Sequence, residues 1–251
     1  MAEHNNQILA VWGSPSCGKT TIAAKIAGYV SGKGYDVALL LCDTDAPPLP
    51  LLIPPSELET EKSLGSILAA VKIGETLILQ NSITIKKNPH ISIIGMLKGE
   101  NGYSYPKYTQ VQAQELLERL REIVDFVIVD CSGHLSGDIL STVALMESDS
   151  VLRLINCDLK SISYLSSQLP LLADGKFRTE KQVKIANNVK SIHSGENIEQ
   201  ILGGVTFTIP HSDLVEQQYL NGELLKHTPM KRETKEFRKV IEEIAEEVFE
   251  L

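Results

Sequence analysis

The chain has 251 residues, 43% of them hydrophobic, and a formal net charge of -8. That length supports one sizeable core, and the acidic balance excludes a uniformly basic nucleic-acid binder, leaving room only for a local basic patch. No run of about 18 apolar residues occurs and residues 1–7 are polar, so neither a membrane span nor a signal peptide is expected.

In chain order the pattern alternates strand and helix, which predicts an α/β fold with a mostly parallel sheet and helices on both faces. Residues 8–12 form a short apolar run before a Gly-rich turn. Ile22, Ala23, Ile26, Ala27 and Val30 then repeat at helical spacing, and Gly32 and Gly34 end that helix. The apolar run 37–41 reads as a buried strand. Five prolines within residues 43–62 predict an extended loop, because each removes a donor and biases its predecessor away from helix.

A short helix is expected at 63–71, strands at 83–85 and 91–94, and an exposed loop with Tyr103, Tyr105 and Tyr108 at 98–109. The tyrosines of that loop are candidates for contact with a protein partner. Residues 110–123 read as an amphipathic helix with Val111, Leu116, Leu117 and Leu120 inward, and 126–129 as a buried strand ending at Asp130. Further strands are expected at 151–155, 183–186 and 205–209, with helices near 137–148, 160–172 and 194–202. The tail, 232–250, carries an apolar stripe of Phe237, Val240, Ile241, Ile244, Val248 and Phe249. Its acidic polar face would be repelled by an anionic membrane, so the stripe is expected to pack on the domain. Neither a linker nor a repeat interrupts the pattern, so residues 1–251 read as a single nucleotide-binding domain.

Four cysteines, at 17, 42, 131 and 157, lie too far apart in sequence for a zinc knuckle or a redox pair. They read as small buried hydrophobes in a reducing cytoplasm.

The segment Gly13-Ser14-Pro15-Ser16-Cys17-Gly18-Lys19-Thr20 matches the eight-residue P-loop (Walker A) pattern. It follows a predicted strand and opens a predicted helix, the context that the mechanism needs. The glycines let backbone N–H groups close around phosphate oxygens, and the helix adds its positive dipole end. Lys19 supplies a point charge to the terminal phosphates, and the Thr20 hydroxyl can ligate Mg²⁺. The candidate nucleotide contacts are therefore residues 13–20 and Thr21. Two strand ends offer carboxylates: Asp130, and Asp43 with Asp45. In a parallel sheet these ends share an edge with the phosphate loop, so Asp43, Asp45 and Asp130 are expected to converge on one metal and one water.

A P-loop, an Asp-x-Asp after the second strand and a late Walker B acid together resemble the ParA/MinD branch of the SIMIBI P-loop ATPases. That branch includes plasmid-partition, septum-site and TadZ/CpaE-like pilus-positioning proteins. The resemblance extends through Ala186-Asn187-Asn188, similar to the family's adenine-recognising Asn, and through residues 208–213 followed by Asn221-Gly222-Glu-Leu, similar to the family's "IP-x-D … G-x-x-L" ending. It implies ATP and Mg²⁺ as ligands, Asn187 and Pro210 at the base, and Thr20, Asp43 and Asp130 around the metal. It further implies catalytic roles for Lys19 and Asp45, the latter on the attacking water, and places Ser132-Gly133 in the second switch. The guanine-reading Asn-Lys-x-Asp signature is absent, which favours ATP over GTP.

The chain departs from the branch at Ser14, where most members carry a second lysine that reaches across a nucleotide-sandwich dimer. The expectation is a slow ATPase that dimerises with ATP and acts on an unidentified protein partner. The alternatives are a nucleotide-binding scaffold with little turnover, and a partition protein that binds DNA non-specifically through the basic residues of 226–239.

Overall fold

The computed structural model describes residues 6–54, 61–193 and 203–251. Among the described residues, eight strands form one sheet in the order β3-β4-β2-β5-β1-β6-β7-β8. They are β1 (Gln7–Gly13), β2 (Val37–Leu41), β3 (Ile83–Ile85), β4 (Asn88–Ile94), β5 (Phe126–Asp130), β6 (Ser150–Asn156), β7 (Gln182–Val189) and β8 (Phe207–Pro210). Only β3 runs antiparallel, against β4. The described helices are α1 (Lys19–Gly32), α2 (Leu64–Leu68), α3 (Glu75–Asn81), α4 (Gln110–Ile123), α5 (Ile139–Glu147), α6 (Leu159–Gln168), α7 (Asp213–Leu220) and α8 (Lys235–Phe249). The helix expected at 194–202 lies outside the described residues.

The central strands are apolar on both faces because both faces are covered. Along β2, Val37, Leu39 and Leu41 enter the core beneath α1 and α8, while Ala38 and Leu40 enter the opposite core with α4 and α5. The same alternation on β1 sends Leu9 and Val11 one way and Ile8, Ala10 and Trp12 the other. The stripe on α8 packs inward as expected, and the Phe249 ring lies 4.4 Å from Phe126.

Two local readings need correction. Val111 is 70% exposed. At about 100° per residue it sits roughly 140° round the helix from Leu116, so Ala113, Leu116, Leu117 and Leu120 form the buried face without it. The proline-rich segment is not merely extended: Leu49–Leu51 forms a 3-10 turn, and Leu49, Leu52 and Ile53 are buried in the core. The tyrosine loop is exposed along most of its length, as expected, but two of its three tyrosines turn partly inward. Tyr103 faces solvent, but the Tyr105 hydroxyl donates to Glu100 at 2.6 Å and the Tyr108 hydroxyl accepts from the Leu140 amide at 3.2 Å.

Three of the four cysteines are buried, as expected of small hydrophobes, and all four are free thiols. Among the described residues no helix is long and apolar enough to cross a membrane.

Candidate nucleotide site

The loop between β1 and α1 is shaped by its glycines. A Cβ on Gly13 would stand 2.0 Å from the Leu154 carbonyl oxygen of neighbouring β6, so only glycine lets the two strands pair this closely. Gly18 caps α1 with φ +88°, and a Cβ there would stand 2.5 Å from Asn187 Nδ2. The loop is also held from two strand ends. Asn156 Nδ2 at the end of β6 donates to the Ser16 carbonyl at 3.3 Å, and Asn187 Nδ2 on β7 donates to the Cys17 carbonyl at 2.7 Å. Lys19 folds back so that Nζ donates to the Ser14 carbonyl at 3.2 Å.

The sheet brings the acids to this same edge. β5 lies between β1 and β2, with Val11 opposite Asp130 on one side and Leu41 opposite Asp130 on the other. The Thr20 hydroxyl donates to Asp130 Oδ2 at 2.6 Å. Asp130 Oδ1 is buried with no hydrogen-bond partner among the described residues. Burial pushes the Asp130 carboxyl up to about 7, with the Asp43 charge acting in the same direction and the Thr20 hydrogen bond and Lys19 opposing it. A buried carboxylate with a free oxygen beside a hydroxyl suits a hard divalent cation, which takes oxygen ligands and would offset that desolvation. The residues present therefore fit Mg²⁺, held by Thr20 and Asp130 with Asp43 nearby.

Asp45 does not join them. The Asp43 carboxylate accepts from the amides of Asp45 and Ala46, at 3.0 and 2.9 Å. This turn leaves the Asp45 side chain 79% exposed, 3.8 Å from His134 Nδ1. Asp43 thus acts on Asp130 through its charge, while Asp45 faces the loop after β5.

Ser14 is 1% exposed, and its hydroxyl donates to Ser161 Oγ on α6 at 2.9 Å. Its side chain is occupied inside the fold, which leaves only its backbone groups free to face a ligand in the loop. Pro15 is half-buried, Ser16 is exposed, and Thr21 is half-buried in the first turn of α1. Pro210 ends β8, beside Val189. The next residue, His211, lies 2.7 Å from Asn188 Oδ1 and 2.8 Å from Asp213 Oδ1.

Several contributors are not foreseeable from the sequence. Asn156, Ser161 and Tyr164 belong to β6 and α6, far from any motif. The Tyr164 hydroxyl donates to the Gly133 carbonyl at 2.6 Å, and burial raises its phenol to about 12. The one available signal is positional: Asn156 stands at a strand end on the loop's edge of the sheet.

Residues 13–185 match the family model AAA_31, described as an AAA domain. The chain belongs to that family. Among curated proteins none matches it. Its fold is that of solved ParA and MinD proteins. The ParA family ATPase from Chlorobium tepidum superposes with a TM-score of 0.78 at 18% identity, over 96% of this chain and 98% of that one. The septum site-determining protein MinD from Pyrococcus horikoshii, solved with Mg-ADP, gives 0.73 at 17% identity over 95% of each chain. An ATP complex of McdA from Cyanothece gives 0.70 at 16% identity, over 98% of this chain and 96% of that one.

Proposed function

We propose that this AAA-family protein binds ATP with Mg²⁺ in the loop 13–20 and acts as a nucleotide-dependent dimerisation switch. Its output would be a conformation that changes affinity for a localisation or assembly partner, in partition or in pilus or secretion positioning. The observation that carries this reading is the Thr20–Asp130 hydrogen bond beside the unpartnered Asp130 Oδ1, at the mouth of a P-loop. Mg²⁺ would supply charge neutralisation between these oxygens and the terminal phosphates. The loop amides and Lys19 bind the phosphates, Asn187 and Pro210 flank the base, and Asp45 positions the attacking water for slow hydrolysis to ADP and phosphate. The cytoplasm, where ATP and Mg²⁺ are plentiful, is the compartment this reading implies.

The buried Ser14 favours a second reading, a nucleotide-binding scaffold with little turnover. Its hydroxyl is committed to Ser161 and brings no positive charge to a partner's phosphates. Loss of such a cation can cost orders of magnitude in rate.

Light scattering in apo, ADP and non-hydrolysable-ATP forms with Mg²⁺ tests the switch. A dimer seen only with the ATP analogue supports it. A monomer under all three conditions removes the switch and leaves the scaffold, and single-turnover phosphate release then measures what hydrolysis remains.

A further inference from the structure

Helix α6 touches the phosphate site twice on one face. Ser161 accepts from the Ser14 hydroxyl at 2.9 Å. Three residues on, hence on the same side of the helix, the Tyr164 hydroxyl donates to the Gly133 carbonyl at 2.6 Å. Gly133 lies directly on the P-loop: a Cβ built on it would stand 3.2 Å from Pro15 Cγ and 3.5 Å from Pro15 Cα.

The peptide joining Gly133 to His134 is fixed at both ends. Its carbonyl takes the Tyr164 hydroxyl, and its N–H donates to Ser132 Oγ at 3.1 Å. Ser132 is in turn held through its own amide, which donates to Ser141 Oγ at 2.8 Å. Tyr164 is itself anchored, because its ring lies 6.1 Å from that of Trp12, the residue before Gly13.

We infer that Tyr164 is a positioning residue that sets the 131–134 turn against the P-loop, so that the site discriminates a nucleoside triphosphate from a diphosphate. This rests on the nucleotide-site reading above. The geometry supplies the reason. On the nucleotide-site reading, a diphosphate would be held within the loop and by Lys19, whereas the additional phosphate of a triphosphate would have to lie beyond the loop, beside the Asp130 strand end and the turn after it that packs on Pro15. A turn pre-set by Tyr164 meets that phosphate without having to be ordered first, and a released turn must be ordered at a cost in affinity. Only the triphosphate registers the difference.

Tyr164→Phe keeps the ring against Trp12 and removes only the hydroxyl. Calorimetric titration with Mg²⁺, using ADP and a non-hydrolysable ATP analogue, reads the effect. The expected result is ADP affinity within about twofold of wild type and analogue affinity down about tenfold, the scale of one buried hydrogen bond. Emission from Trp12, the chain's single tryptophan, and the thermal midpoint check that the fold is kept.

If Tyr164→Phe does not fold, Gly133→Ala disturbs the turn from the Pro15 side and is expected to lose the same discrimination. Equal weakening of both nucleotides, or no change in either, overturns the inference while leaving the nucleotide site standing. A wild-type chain that binds neither nucleotide overturns the site reading itself, and Tyr164's role with it.

Discussion

The Thr20 hydroxyl and Asp130 Oδ2 are joined by a 2.6 Å hydrogen bond across 110 residues of chain. That bond links the first turn of α1 to the end of β5. It holds a carboxylate that burial has shifted up to about 7 within reach of the phosphate loop.

Lys19→Ala is expected to abolish ATP binding, a loss of at least about 100-fold given that charge-assisted contacts to phosphate are among the stronger hydrogen bonds. Titration calorimetry with Mg-ATP measures it. Affinity unchanged from wild type would remove the P-loop from the function altogether.

Asp45→Ala is expected to leave ATP affinity nearly unchanged, because its carboxylate is exposed and faces His134 rather than Thr20 or Asp130. Turnover should fall by roughly 10²- to 10⁴-fold if Asp45 acts on the attacking water. Single-turnover phosphate release is the measurement, and a variant as fast as wild type takes Asp45 out of the chemistry.

Lys25 gives a pH-dependent test of the fold. Its ammonium is buried under α7, donating to Gln218 Oε1 at 2.5 Å and to the Lys226 carbonyl at 2.9 Å. Desolvation lowers it from 10.5 to about 8. Between those two values the unfolded chain binds more protons than the folded one, so stability rises with pH across that window. Below about pH 8 both states are protonated and the cost of burying the charge is felt in full. Urea unfolding at pH 7.5 and pH 10 should show wild type gaining on the order of 2–3 kcal/mol relative to Lys25→Met. Parallel behaviour of the two proteins would mean that Lys25 is hydrated in the folded state.

Lys231, Arg232 and Lys235 are exposed ahead of and at the start of α8. If the protein is a DNA-associated partition factor, replacing all three by Ala should abolish DNA retention, and wild-type retention should fall steeply between about 50 and 200 mM salt. Retention that survives the triple replacement, or ignores salt, excludes this surface as the DNA site.

The sequence was most legible where one physical demand dominates. β2 and β5 are continuous apolar runs because both faces are covered, and their bounds follow directly. The P-loop is readable because its glycines answer local demands, as at Gly18 with φ +88°. Helix α3 leaves little trace in the sequence because it is only seven residues long and its N-cap, Gly74, offers no side-chain oxygen. Helix α7 is only eight residues long and its N-cap, Ser212, makes no side-chain capping bond, so it leaves little signal of its own. The orientation of Asp45 has no sequence signal, because it follows from a turn in which the Asp43 carboxylate accepts the Asp45 amide and leaves the Asp45 side chain exposed. Ser14–Ser161 and Gly133–Tyr164 span 147 and 31 residues, and no local pattern encodes such pairings.

The phosphate loop is gripped by residues from β5, β6, α6 and β7, so it cannot take shape until most of a parallel, non-local sheet has assembled, a slow event in folding. A ligand that recognises only the finished loop stabilises the whole sheet and not one corner of it. Nucleotide supply would then govern how often the chain opens globally and, where proteolysis tracks that open population, how long each copy survives in the cell.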